Sequence, residues 1–213
     1  MIKELLIKGL EETIYMVGYS TLFAVILGFI LAIILILTDE KGLKPNKFVY
    51  SVFDLIINVL RSFPFIILMI AIFPLTKLIV GKSIGNTAAI VPLTIGAAPF
   101  AARVIESALK EVDPGLIEAA KSFGATTPQI LFKVMIKEAF PSIARGIILT
   151  IINLIGYSAM AGAIGAGGLG NVAIMYGYNR FKSDIMIYTV IVLIIVVQVI
   201  QSFGNVLYKN LNK

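Results

Sequence analysis

The sequence predicts an all-α integral membrane protein with five transmembrane helices and a cytoplasmic two-helix segment between the third and fourth. Composition is the first observation: of 213 residues, 59% are hydrophobic and 14% are charged, and a soluble domain cannot cover that much apolar surface. The second observation is that runs free of charge recur along the chain. Several reach the roughly 20 residues that a helix needs to cross the hydrocarbon core.

The five predicted spans cover residues 13–38, 55–75, 83–102, 146–170 and 185–208. The first span is too long for a cleaved signal peptide, so we expect it to be retained. The second is interrupted by Arg61 near one end. Because spans and short loops use most of the chain, we expect residues 1–213 to form a single transmembrane domain. The prolines at 64, 74, 92 and 99 indicate either kinks or helix ends.

Basic residues indicate the orientation. Five spans place residues 103–145 on the side that carries twelve of the eighteen Lys and Arg residues. The positive-inside rule makes that side cytoplasmic, with the N-terminus outside and the C-terminus inside. The net charge of +6 is explained by these flanking residues, so nucleic acid is not an expected partner. The expected partner of these basic residues is the lipid bilayer.

Residues 103–145 are polar and charged between apolar runs, and they predict two short helices. Asp113 and Pro114 suit a helix start, and Gly124 suits a left-handed C-terminal cap. Within this first helix, the spacing predicts one apolar face formed by Leu116, Ala120 and Phe123. By the same rules, Thr127-Pro128 starts the second helix and Pro141 ends it. Physical chemistry alone allows either a docking surface or a helix resting on the membrane.

The centre of this segment resembles the Glu-Ala-Ala-x-x-x-Gly signature of ABC importer permeases. Glu118, Ala119, Ala120 and Gly124 match it residue by residue, and Ala125 follows. In that family the element is a coupling helix that contacts the ATPase subunit, so the resemblance assigns these five residues to ATPase coupling. The family pattern usually ends in Leu-Pro, whereas this chain has Ile136-Lys137 at that place.

Four further stretches resemble the permease subunit of methionine importers: Arg61–Leu68, Ile79–Gly85, Ala88–Phe100 and Gly156–Met160. The resemblance implies translocation of D- or L-methionine across the bacterial cytoplasmic membrane by alternating access. It also implies a homodimer, two copies of an ATP-binding cassette subunit and an extracytoplasmic methionine-binding lipoprotein. ATP and Mg would be bound by the ATPase, with no cofactor or metal in this chain.

Two nucleotide-binding motifs are superficial. Gly165-x-Gly167-x-x-Gly170 lies in a charge-free run without the strand that a dinucleotide fingerprint requires. We expect close helix packing or a backbone break there. Gly81-Lys82-Ser83 resembles the end of a P-loop, but Thr76 replaces its first glycine. No ATP site is therefore expected in this chain.

The fourth span carries a polar stripe in an apolar helix. Thr150, Asn153, Tyr157 and Met160 fall on one helical face, and polar residues within a span usually face a cavity or the bundle interior. Asn153, Tyr157, Ser158 and Met160 are therefore candidate pathway or gate residues. Ordinary interhelical packing is the open alternative.

Other functions fit less well. An intramembrane enzyme would need a base, nucleophile or metal cluster, but the chain has no His or Cys and its spans lack paired carboxylates. The four long charge-free runs also lack the ionisable groups that a secondary transporter uses. The remaining alternatives are a permease for another small solute (an osmoprotectant, a phosphonate or another amino acid) and a membrane scaffold without transport.

Overall fold

The computed structural model describes residues 2–211, and all regular structure within this range is helical. Nine helical elements follow in order: α1 (Ile2–Thr38), α2 (Lys47–Ser62), α3 (Phe65–Ala71), α4 (Phe73–Val80), α5 (Asn86–Lys110), α6 (Pro114–Ser122), α7 (Thr127–Ala163), α8 (residues 168–178) and α9 (Ser183–Leu211). Helix α7 is π-helical over Ile130–Met135, and α8 is π-helical over Val172–Tyr178. The predicted all-α membrane fold is confirmed.

Four of the described helices, α1, α5, α7 and α9, are long and apolar enough to span a membrane. A fifth span results if α2 and α3 count as one broken span, because the two are inclined by 104°. The predicted second span, residues 55–75, is therefore not one continuous helix, since it covers the end of α2, all of α3 and the start of α4. Pro64 lacks an N–H group, and Phe63 before it is extended (φ −72°, ψ 130°), as a residue preceding proline prefers.

Small residues bring α1 and α5 together in the centre of the molecule. A Cβ added to Gly28 of α1 would lie 2.7 Å from the Cβ of Ala101. Helix α5 buries a stripe of its own alanines against the neighbouring helices. This stripe includes Ala89, Ala97 and Ala98. Such residues let helix backbones approach closely, and close approach supplies the van der Waals packing that holds membrane helices together.

Two predicted helix boundaries were wrong. Pro141 does not end the second helix of the polar segment 103–145, because it lies inside the long helix α7. A proline inside a membrane helix is tolerated where neighbouring groups satisfy the backbone carbonyl that it frees. The fourth span is also shorter at its far end than predicted, since α7 ends at Ala163 and the chain turns before α8.

Candidate functional site

Helix α6 projects from the end of the bundle where α1 and α5 finish. Its start is as predicted: the Asp113 carboxylate accepts a hydrogen bond from the Gly115 N–H at 2.7 Å, and Pro114 follows the cap. These interactions satisfy one of the orphan donors at the helix N-terminus and set its first turn. Local chemistry therefore fixes where this helix begins.

The end of α6 is also as predicted. Gly124 has a φ of +75°, and the N–H of Ala125 donates to the carbonyl of Ala120 at 3.0 Å. This left-handed residue reverses the chain at little cost because glycine has no Cβ. The next helix is capped by Thr126, one residue earlier than predicted, whose N–H donates to the Gln129 side chain at 2.8 Å. Two caps thus hold a rigid, sharp turn.

Helix α6 has an inner and an outer face. Ile117, Ala120 and Ala125 pack against a buried cluster that joins α1, α5 and α7. Glu118, Ala119 and Gly124 are exposed, and Phe123 is 91% exposed. The predicted apolar face was therefore partly wrong. Ala120 is on the inner face, but Leu116 and Phe123 are exposed, because the direction of the core is set by tertiary contacts and not by spacing.

A network of ion pairs lies next to this segment, at the end of α5. Arg103 pairs with Asp54 of α2 and, at 2.8 Å, with Glu106 on its own helix. Lys110 then pairs with Glu106 at 2.8 Å and with Asp39 at 2.9 Å. Glu106 is buried, so its charge is compensated by two cations as a buried carboxylate requires. This network of ion pairs connects α2, α5 and the end of α1.

The sequence analysis did not find this network. The only local signal is the spacing of Arg103, Glu106 and Lys110, which places all three on one face of a helix. Their partners come from distant segments. Partial burial alone would raise the pKa of Asp39, but the hydrogen bond and charge of Lys110, with a hydrogen bond from the Lys41 amide, lower it below its ordinary value.

The polar stripe of α7 divides into two sets. Thr150 and Ser158 are buried, and their hydroxyls donate to the carbonyls of Gly146 and Ile155 within the same helix. Neither reaches the open side of the helix. Asn153 is half-buried and Met160 is 48% exposed, so both border the uncovered face of α7.

Tyr157 connects this face to the broken second span. Its ring stacks on Phe65 with 4.4 Å between centroids and 1° between planes. Phe65 is the first residue of α3, immediately after the break at Pro64. The aromatic pair therefore fixes where the short helix α3 lies against α7. The sequence predicted Tyr157 as a site residue but had no means of predicting its partner.

The glycine run between α7 and α8 forms a tight turn at the opposite end of the molecule from α6. Gly165, Gly167 and Gly168 all have positive φ angles. The Gly168 N–H donates to the Glu12 carboxylate at 2.7 Å, and the Leu169 N–H donates to the Thr13 hydroxyl at 2.9 Å. These side chains of α1 cap the N-terminus of α8. The expected backbone break is confirmed, and the donors that would face a phosphate are occupied.

Comparison with known proteins identifies the family. The family described as "Binding-protein-dependent transport system inner membrane component" matches residues 24–213. The chain belongs to this family. It is therefore an inner-membrane transport component, as the Glu-Ala-Ala-x-x-x-Gly resemblance implied.

Individual relatives are similar over most of the chain. A Vibrio cholerae protein named "Probable D-methionine transport system permease protein MetI" is 50% identical over 209 residues, 98% of this chain and 93% of that protein. The Bacillus subtilis "Methionine import system permease protein MetP" is 46% identical over 180 residues, 84% of this chain and 81% of its own length.

Solved structures agree with the fold. A chain of the MetNI methionine ABC transporter in an inward-facing conformation superposes with a TM-score of 0.96 at 42% identity, covering 98% of this chain and 97% of the other. A chain of an amino acid ABC transporter crystallised with histidines has a TM-score of 0.81 at 21% identity, with 98% and 94% coverage. At that identity the second likeness concerns the fold alone.

Proposed function

We propose that this chain is the permease subunit of an ATP-driven methionine importer and that two copies form the translocation path. One observation carries the substrate assignment: similarity extends over nearly the whole chain to relatives named for methionine transport and to a methionine transporter structure. Both D- and L-methionine are included in the proposal. A solute-binding lipoprotein delivers the substrate from outside.

The energy comes from a separate ATPase subunit, present in two copies. ATP and Mg are bound there, and this chain performs no bond chemistry. The coupling surface consists of Glu118, Ala119, Ala120, Gly124 and Ala125. Two geometrical facts support this role: Glu118, Ala119 and Gly124 are exposed, and Ala120 and Ala125 belong to the inner face that packs onto three membrane helices. A displacement of α6 is therefore transmitted directly to the ends of α1, α5 and α7.

The charge network favours transmission to the second span as well. Arg103 connects α5 to Asp54 of α2, and Lys110 connects the same helix to Asp39. When the ATPases close and the coupling helices move, α2 is carried with α5. Rigid-body motion of this kind alternates a path between outward-facing and inward-facing states.

The path is lined by the uncovered face of α7, with Asn153 and Met160 as lining residues and Tyr157 at its edge. A thioether is flexible and polarizable, so Met160 is suited to a constriction that collapses behind the substrate. Ser158 was one of the candidate pathway residues predicted from the sequence. It is buried, and it supports helix packing. In the membrane, we infer that the N-terminus is outside and the C-terminus is cytoplasmic, as the distribution of basic residues favours.

Uptake of labelled methionine tests this function. The chain is expressed with its ATPase and binding protein in a host that lacks methionine importers. We expect ATP-dependent uptake that is lost when Gly124 is replaced by a bulky residue. A Cβ at Gly124 meets no neighbouring atom within 4 Å, but the φ of +75° strains any side chain there. Lost uptake therefore reports on coupling only in a variant whose melting temperature matches that of the unaltered permease. ATPase stimulation by a different solute would refute methionine and retain the permease. No stimulation by any solute would favour the scaffold.

A further inference from the structure

A basic groove lies at the end of the molecule opposite α6. It has a volume of about 420 Å³ and runs between the first turns of α1 and the loop that joins α8 to α9. Its lining combines three cations with apolar and aromatic side chains: Leu5, Lys8, Tyr176, Arg180, Lys182 and Ile185. One carboxylate, that of Glu4, lines the same groove. Nothing in the coupling mechanism uses these residues.

We propose that this groove binds the headgroup of an anionic phospholipid. The cations would contact the phosphate, and the apolar side chains would contact the upper part of the acyl chains. This site is independent of the proposed substrate. Its expected ligand is a lipid and not an acidic protein surface. Three features of the structure favour a lipid.

The first feature is depth. The charge-free run of α1 begins at Thr13, and Lys8 lies five residues earlier, about 7–8 Å along a helix that rises 1.5 Å per residue. Arg180 and Lys182 immediately precede α9, whose charge-free run begins at Ile185. All three cations therefore lie where the hydrocarbon core gives way to the headgroup layer, which is about 5–8 Å thick on each side.

The second feature is the surroundings of the groove. It lies between α1 and α9, the two spanning helices with the smallest buried fraction. Their exposed apolar side chains near the groove include Ile7 and Ile14 of α1 and Ile187 and Tyr188 of α9. The groove therefore adjoins two helices whose exposed apolar side chains are suited to acyl chains.

The third feature is an exposed aromatic residue held in a strained backbone. Phe181, between Arg180 and Lys182, has a φ of +55° and is 89% exposed. Among the non-glycine residues of the described chain it alone has a positive φ. Such a conformation is unfavourable for a residue with a side chain. A lipid layer would give this exposed ring an apolar environment.

Arg180 is already positioned for a phosphate. Its guanidinium lies over the ring of Tyr176, 4.7 Å from the centroid. Stacking on an aromatic face restricts the long arginine side chain and leaves its edge free for hydrogen bonds. Arginine is well suited to phosphate because its planar fork can donate two parallel bonds.

Lipid retention tests the proposal. The complex of this permease with its ATPase is purified in detergent and exchanged against mixed micelles of phosphatidylglycerol and phosphatidylcholine, and bound lipid is counted by native mass spectrometry. We expect the complex to retain phosphatidylglycerol over phosphatidylcholine by at least about tenfold, since each basic residue near an anionic headgroup adds to binding. The triple variant K8Q/R180Q/K182Q should lose that preference.

A matched control removes charge elsewhere on the same end. K77Q/K82Q neutralises two lysines outside the groove and should retain the preference. If the triple variant fails to assemble, R180Q takes its place and should weaken the preference. Equal retention of the two lipids by the unaltered complex would overturn the proposal. An assembled triple variant that keeps the preference of the unaltered complex for phosphatidylglycerol would also overturn it. If that variant no longer binds the binding protein, the groove is assigned to an acidic protein surface.

Discussion

The Glu12 carboxylate accepts a hydrogen bond of 2.7 Å from the backbone N–H of Gly168, which lies 156 residues later in the chain. Thr13 makes the equivalent contact with the next N–H, that of Leu169. The start of the first membrane helix thus caps the N-terminus of α8. An acidic group at a helix N-terminus is favoured by the helix dipole as well as by the hydrogen bond.

Removing this cap should destabilise the glycine turn between α7 and α8. We expect Glu12→Ala to lower the free energy of unfolding by about 1–2 kcal/mol, the usual range for losing a capping side chain. Glu12→Gln keeps an acceptor oxygen and should lose less. The measurement is the melting temperature of the purified complex. Glu11→Ala, at an exposed neighbouring position, should have no effect; an equal loss there would show that the carboxylate of Glu12 is not special.

Gly170 should tolerate no side chain. A Cβ there would overlap the backbone of Ala159, and backbone cannot move aside as a flexible side chain can. We expect Gly170→Ala to cost about 1–3 kcal/mol through overpacking, measured by thermal unfolding. Gly18→Ala is the matched control, since a Cβ at that exposed position of α1 meets nothing within 4 Å. Similar melting temperatures for the two variants would contradict the close packing of α7 and α8.

The stack of Tyr157 on Phe65 should matter through its ring and not its hydroxyl. Tyr157→Ala removes a contact of the kind that contributes about 0.5–1.5 kcal/mol beyond area burial. We expect reduced methionine uptake in an assembled complex, because α3 loses its anchor on α7. Tyr157→Phe keeps the ring and should retain uptake. If the phenylalanine variant is as impaired as the alanine variant, the phenol oxygen is what transport requires.

The exposed ring of Phe123 should contribute to ATPase binding but not to the permease fold. It is 91% exposed and adjoins the proposed coupling residue Gly124. Phe123→Ala should therefore leave the melting temperature of the isolated permease unchanged and weaken ATPase copurification. Leu78→Ala, at an 83% exposed position in α4, serves as the control and should not affect copurification. Unaltered copurification of the Phe123 variant would exclude this ring from the interface.

The ion pair of Asp39 and Lys110 predicts a pH dependence. The pKa of Asp39 in the folded state is lower than its ordinary value of 3.8, so the pair stabilises the fold at pH values above 3.8. That contribution is lost as the pH falls below 3.8 and through the folded-state pKa. Because the pair is partly exposed to solvent, we expect its worth to be under about 1 kcal/mol at neutral pH.

The measurement compares melting temperatures of the wild type and Asp39→Asn between pH 7 and pH 3. The gap between the two proteins should narrow as the pH falls below 3.8. Glu40→Gln, next to Asp39 and exposed, should show no such convergence. A gap that stays constant over the whole range would mean that Asp39 acts through packing and not through its charge.

Sequence alone determined the features that depend on neighbours along the chain. Charge-free runs predicted the membrane helices because hydrocarbon excludes charge over a fixed thickness. Asp113 and Gly124 predicted both ends of α6, since capping and left-handed turns involve residues only a few positions apart. The Glu-Ala-Ala-x-x-x-Gly resemblance predicted the family for the same reason: its residues are contiguous.

Tertiary structure decided what depends on direction and distance. Helical spacing grouped Thr150 with Asn153 on one face, but only packing shows that the threonine is buried and that Asn153 borders the open side. The cap between Glu12 and Gly168 joins segments 156 residues apart, and no local pattern encodes such a pairing. Periodicity states which residues share a face of a helix; the neighbours that the helix meets determine where that face points.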